Sequence, residues 1–137
     1  MAGEDTTQHL REAFAREAQA AVRCLYFARR ADVEGRADVA ALLRSLAEGQ
    51  NGQAFGHLEF LEEAGDSLSG GGDTAGNLES ARAEALGNAT AYGEYAKAAR
   101  AAKQRDLADW FDSLAAAKRA HAAQLAALPA SLEGGSS

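Results

Sequence analysis

The stretch Leu107-Ala-Asp-Trp-Phe-Asp-Ser-Leu-Ala-Ala-Ala-Lys-Arg-Ala-His-Ala-Ala-Gln-Leu-Ala-Ala-Leu128 decides the fold. Leu107, Phe111, Leu114, Lys118, His121, Leu125 and Leu128 follow one another in steps of four and three. That spacing puts them on one stripe of an α-helix. The stripe is apolar except at Lys118 and His121, one turn apart near its middle. A buried ammonium is costly unless it is paired, and it offers three donors and no acceptor. The helix is therefore amphipathic, and something polar is expected beside its inward face.

Three more segments read the same way. The first runs from about Thr7 to Glu34, with Thr6 or Thr7 as cap and Gly35 as stop. Its stripe is Leu10, Phe14, Glu17, Ala21, Cys24, Ala28, Ala31. The second runs from about Ala37 to Ala64, with stripe Val39, Leu43, Leu46, Gln50, Gln53, His57, Phe60. The third starts near Asp73 or Asn77 and reaches about Ala102, with Leu78, Ala81, Glu84, Asn88, Ala91 and Tyr95 inward. The fourth spans about Arg105 to Leu128 and stops before Pro129. The expectation is an all-α fold of two antiparallel helical hairpins, because tight turns join the first helix to the second and the third to the fourth.

Between the hairpins lies the glycine-rich segment Gly65–Gly76. Extended, it could span roughly 40 Å, about the length of a 27-residue helix. It can therefore cross the whole bundle or hand one hairpin to another subunit. The hairpins also look like copies of each other. Phe27-Ala-Arg pairs with Tyr95-Ala-Lys at an offset of 95 − 27 = 68. The same offset pairs Leu43 with Phe111, Gln50 with Lys118, and Gln53 with His121. Such a repeat predicts a pseudo-two-fold arrangement with one central site.

Composition narrows the classes. With 137 residues, 47% hydrophobic and 25% charged, the chain is expected to form one globular domain over residues 1–130, with residues 131–137 a disordered tail. A net charge of −6 without a basic stripe argues against nucleic acid. The single cysteine, Cys24, excludes an intramolecular disulfide and any four-cysteine metal site within one chain. No apolar run is long enough to span a bilayer, so a cytoplasmic location is the default expectation.

Two stretches then point to a family. Ala13-Phe-Ala-Arg-Glu-Ala-Gln with Tyr26-Phe-Ala resembles the first helix of rubrerythrins, and His57-Leu-Glu-Phe-Leu-Glu-Glu-Ala-Gly-Asp66 resembles the end of their second. Tyr92-Gly-Glu-Tyr-Ala-Lys is similar to their third-helix run, with Gly93 in place of the usual proline. The resemblance covers about residues 8–128. It implies a ferritin-like four-helix bundle, similar to a stand-alone rubrerythrin domain, and a homodimer in which hairpins could be exchanged.

Rubrerythrins hold two irons and reduce peroxide. The resemblance implies a shell of one Glu on helix one, Glu-x-x-His on helices two and four, and one or two Glu on helix three. In this chain Glu17 matches the first-helix Glu, and Gln50 and Gln53 stand at the second-helix Glu and His. Glu84 matches the third-helix Glu, and Gly87 takes the place of the extra one. Lys118 replaces the fourth-helix Glu, and His121 matches its His. Cys24 stands for a supporting Tyr, whose third-helix counterpart is Tyr92. Both bridging positions, Gln50 and Lys118, have lost the anionic oxygens that two divalent ions need.

The vestigial inner site is thus Glu17, Gln50, Gln53, Glu84, Lys118 and His121. The expectation is no catalytic residue and no cofactor. The Lys118 ammonium would sit between Glu17 and Glu84, in a structural, interaction or small-ligand-binding bundle. The alternative is a peroxide-reducing oxidoreductase that keeps a single iron or manganese at Glu17, Glu84 and His121. His57 reads as a hydrogen-bonded end residue or a displaced ligand, and Cys24 as a buried thiol. Trp110, Phe111, Phe27 and Tyr26 read as core or subunit-contact residues. Gly49, Gly52, Gly56, Gly87 and Gly93 could permit close helix contact, a bend or a cavity.

Overall fold

The computed structural model describes residues 2–135, with side chains from 5 to 128. Four helices follow in order: α1 (Ala2–Val33), α2 (Ala37–Glu63), α3 (Thr74–Ala101) and α4 (Arg105–Gly135). A 3₁₀ turn, Ser67–Ser69, lies after α2. The chain divides into two compact units, Met1–Ser69 and Gly70–Ser137. Each is an antiparallel hairpin, α1 packed on α2 and α3 packed on α4.

The seams are built from alanine. In the first hairpin Ala21, Ala28, Ala31, Ala40, Ala47, Ala54 and Leu61 are buried. In the second they are Ala85, Ala89, Ala96, Ala99, Ala108, Ala115 and Ala122. On α2 the buried residues recur every seventh position, at 40, 47, 54 and 61, and on α4 at 108, 115 and 122. A seven-residue period keeps one edge of each helix turned to its partner. Methyl side chains along that edge let the axes approach closely, since interaxial distance is set by the side chains at the contact. The larger apolar residues of the expected stripes flank the seam. Phe14, Leu43, Phe111, Leu114 and Leu125 are half-buried, while Leu46, Phe60, Leu107 and Leu128 are exposed. A pair of helices can cover only the strip between them, and here alanine occupies that strip.

The offset of 68 runs through the structural detail. It maps Ala21, Ala28, Ala31, Ala40, Ala47 and Ala54 onto Ala89, Ala96, Ala99, Ala108, Ala115 and Ala122, all buried. It maps Gly35 at φ 75° onto Lys103 at φ 62°. Both stand just past a helix end, where a left-handed residue turns the chain. The capping bonds match as well: Arg36 N–H donates to the Ala31 carbonyl at 2.8 Å, and Gln104 N–H to the Ala99 carbonyl at 2.8 Å. Each turn is clasped by an arginine–aspartate pair, Arg44 with Asp32 in the first hairpin and Arg100 with Asp112 in the second. Positions 32 and 44 map onto 100 and 112, so the clasp recurs with its charges exchanged.

Three expectations need correction. Helix α1 begins at Ala2, upstream of the Thr6 or Thr7 cap, and Asp5 favours that early start by complementing the positive end of the helix. Helix α4 continues past Leu128 and Pro129 to Gly135. Proline there forgoes one backbone hydrogen bond, but Ala127, Ala130 and Leu132 around it are good helix formers. The tail expected to be disordered from Ser131 is therefore helical to Gly135, and Ser136 and Ser137 lie outside the described residues.

The linker is more ordered than its glycines suggest. Asp66 accepts from the Leu68 amide at 2.9 Å, and its carbonyl accepts from Ser69 Oγ at 2.7 Å. Arg11 Nε on α1 donates to Asp66 Oδ2 at 2.8 Å, tying the exit of α2 to its partner helix. At the start of the second unit, Asp73 caps α3 by accepting from Gly76 N–H at 2.7 Å. The Asn77 side chain accepts from Gly71 N–H at 2.8 Å. Gly71 and Gly76 approach so closely that a Cβ on Gly71 would lie 2.5 Å from the Gly76 backbone. Among the described residues no helix is long and apolar enough to cross a membrane.

Candidate functional site

In the first hairpin Glu17 lies one turn before the seam residue Ala21, and Gln50 lies between the seam residues Ala47 and Ala54. Both are half-buried. Glu17 Oε2 and Gln50 Oε1 are wholly shielded, and neither has a hydrogen-bond partner among the described residues. A buried acceptor left unpaired costs about 1–3 kcal/mol, more when charged. Both atoms are acceptors, so what this flank of the seam lacks is a donor or a cation. Cys24, two turns beyond Glu17 along α1, is a half-buried free thiol. His57 is half-buried and Gln53 exposed.

In the second hairpin Lys118 is half-buried beside the seam residues Ala115 and Ala122, and His121 is exposed. Glu84 is exposed on α3. The seam offset sets its register: 17 + 68 = 85, so the structural counterpart of Glu17 is the buried Ala85. Glu84 is displaced from it by one residue, about 100° round the helix. Tyr92, Tyr95 and Phe111 form an aromatic cluster, with ring centroids 5.6–6.0 Å apart. It lies next to an open apolar hollow lined by Tyr95, Ala98, Ala99, Gln104, Leu107 and Phe111.

Within neither hairpin do the described residues gather three or more His, Cys, Asp or Glu side chains where an ion could be held. The glycines of α2 and α3 do not mark tight packing inside a hairpin, for a Cβ at Gly49, Gly52, Gly56, Gly87 or Gly93 would meet no atom within 4 Å. Asp66 is a polar position that the periodicity did not single out. The hydrogen bond from Arg11, then that from the Leu68 amide, holds its carboxyl below the usual carboxylate range. The signal that could have found it was an aspartate directly after a helix-ending glycine, Gly65-Asp66.

Two α-helical hairpins that carry carboxylate and amide side chains beside their seams define the class of carboxylate-bearing helical bundles. The rubrerythrin family model matches residues 8–129, and the chain belongs to that family. Its fold is the all-α, ferritin-like four-helix bundle. A comparison with curated proteins finds no match.

The family implies a two-metal centre, and this donor set does not fit one. Two divalent ions require anionic oxygens that bridge them. The positions that the resemblance aligns with bridging ligands hold a neutral amide and an ammonium, Gln50 and Lys118. The orphaned acceptor at Gln50 is an amide oxygen, a poor ligand for iron or manganese beside a carboxylate.

Proposed function

We propose that this chain is a rubrerythrin-family bundle whose metal centre has been replaced by a cation of its own. In this reading the Lys118 ammonium takes the electrostatic place of the metals. It donates to Glu17 and Glu84, and Gln50 and Gln53 fill the remaining hydrogen bonds. The observation that carries the reading is the pair of buried, unpartnered acceptors, Glu17 Oε2 and Gln50 Oε1. Each calls for a donor, and an ammonium has three. The repeat supports it, since Gln50 and Lys118 hold the same register in the two hairpins.

With the ligands of a peroxide-reducing centre replaced, the role in this reading is non-catalytic: structural, interaction or small-ligand binding. We further propose that the chain works as a cytoplasmic homodimer, with exchange of hairpins as one route to it.

The test is metal analysis of protein purified without chelator, together with peroxide turnover and thermal melting of Lys118→Ala. The expected result is no stoichiometric metal, no turnover, and a strong loss of stability in the variant. About one metal per chain, lost on Glu84→Ala, would establish instead the mononuclear site of Glu17, Glu84 and His121. A variant that melts like the parent would remove Lys118 from the cluster.

A further inference from the structure

One stretch of α1 has a composition unlike the rest of this acidic chain. Against a net charge of −6, residues 18–31 hold Arg23, Arg29 and Arg30 and no carboxylate. Apolar side chains run between the arginines, and Val22, Tyr26 and Val33 are 66%, 65% and 78% exposed. At about 100° per residue these three lie within about 40° of one another round α1, and Arg23, Arg29 and Arg30 lie within about 60° of Tyr26, to either side. The seam residues Ala21, Ala28 and Ala31, together with Glu17, are roughly 140–180° from Tyr26. The strip therefore faces away from α2 and is no part of the candidate site. From Val22 to Val33 it is about 16 Å long.

The acidic residues of α1 do not neutralise it. Glu12 lies about 16 Å before Arg23 along the helix, and Asp5 further still. Glu17 is on the opposite side, and Asp32 is engaged by Arg44. Glu34, just past the helix end, sets one carboxylate against three guanidinium groups. Arg23, Arg29 and Arg30 form no ion pair among the described residues. Instead Arg29 is held over the Tyr26 ring at 5.7 Å and Arg23 over the Phe27 ring at 5.2 Å. A guanidinium held over a ring is positioned in advance and keeps both its charge and its fork of N–H donors. Tyr26, Arg29, Arg30 and Val33 also line an open hollow of about 170 Å³. Charged donors and an apolar seat thus share one place.

The second hairpin shows that the fold does not demand this strip. The offset of 68 places Thr90, Ala91, Glu94, Lys97, Ala98 and Ala101 at the same six positions. There the apolar side chains shrink or turn polar, and the remaining cation, Lys97, pairs with Glu94 on its own helix at 3.7 Å.

We propose that the outer face of α1, from Val22 to Val33, docks an acidic amphipathic segment of another protein, one that carries carboxylates on both sides of apolar side chains. The inference rests on the interaction role proposed above and gives that role a partner of stated chemistry. Arginine forks match carboxylates two bonds at a time, and complementary charge sets the register of an apolar contact. The narrowness of the strip favours such a segment over a lipid surface. A helix that lies in a membrane interface buries a broad apolar half, whereas here arginines close in on both sides of Tyr26.

The test is fluorescence anisotropy of the full chain with a labelled synthetic helical peptide, its leucines spaced three and four apart and flanked by glutamates. The parent is expected to bind it, more weakly as salt rises, and to ignore a peptide with lysines in place of the glutamates. Arg29→Glu combined with Arg30→Glu should raise the dissociation constant by at least ~30-fold, the effect of losing a central anchor, with circular dichroism confirming intact helices. Tyr26→Ser should weaken binding at high salt as well as low. Lys97→Glu, at the register of Arg29 in the second hairpin, should leave it unchanged. Equal binding by the parent and the Arg29→Glu/Arg30→Glu variant, or no binding by the parent at millimolar peptide, would overturn this surface. Binding to phosphatidylserine vesicles but not to the peptide would overturn it in favour of a membrane. Stoichiometric metal with peroxide turnover would end the non-catalytic reading, while peptide binding lost in the arginine variant would still uphold the surface.

Discussion

The two hairpins share a frame and differ in what they hang on it. Six seam alanines, the left-handed turn residue, the capping bonds and the arginine–aspartate clasp recur at one offset. The side chains flanking the seam do not. The first hairpin has an amide at position 50 and a glutamate at 17; the second has an ammonium at 118 and an alanine at 85. Backbone geometry thus tolerates almost no variation, because the helices meet along a strip one methyl group wide. Polar chemistry beside that strip is free to change, provided the charges are matched. The difference separates what makes a helical hairpin from what makes a metal site.

Four experiments would sharpen that comparison or break it. The largest effect is expected at the polar flank. On the proposed Lys118 cluster, Lys118→Ala should cost about 3–5 kcal/mol, whereas Gln50→Ala at the matching position should cost about 1–3 kcal/mol in chemical denaturation. Equal losses at the two positions would erase the proposed division of roles.

The seams come next. Ala47→Leu and Ala115→Leu occupy one register, and each should destabilise by about 1–3 kcal/mol through overpacking. If either is neutral by thermal melting, that hairpin is not closely packed. The turns should then respond with opposite signs. Gly35→Ala forces a Cβ into a left-handed conformation and should cost about 1 kcal/mol, while Lys103→Gly should gain a similar amount or less.

The smallest effect is confined to the first hairpin. Asp66 titrates lower in the folded chain than in the unfolded one, held by Arg11. Its contribution is complete above its unfolded value, near 4, and fades as pH falls through the folded value. Asp66→Asn should abolish that portion of the acid dependence and leave the neutral-pH helicity unchanged. Acid melts of the parent and variant that coincide would show that the Arg11 tether contributes nothing.

Much of this architecture was legible in the chain. Periodicity located all four helices, Gly35 and Gly65 marked two ends, and the offset of 68 was visible from Phe27/Tyr95 to Gln53/His121. The identity of the buried residues was less legible. Stripes of Leu and Phe draw attention as core, yet alanine, equally at home on a surface, fills the contact. Only its seven-residue recurrence on α2 and α4 distinguishes it. The helix ends at Ala2 and Gly135 escaped because Thr6, Thr7 and Pro129 are strong local stop signals that neighbouring helix formers outweigh.

In the candidate site, the resemblance marked Gln50, Gln53 and Lys118 as departures from the ligand types it implies. Exposure then separated the half-buried Glu17, Gln50 and Lys118 from the exposed Gln53, Glu84 and His121. The shift of Glu84 from the register of Glu17 could not be read from the polar residues. It is fixed by the alanines on either side.

The reversed clasps leave a mark on heredity. Asp32 with Arg44, and Arg100 with Asp112, are mirror solutions to one electrostatic need. Giving one member of either couple the charge of its partner, with the other left as it is, would set two aspartates or two arginines face to face, and like charges repel. In descendants of this gene the members of each couple should accordingly mutate in tandem or stay as they are.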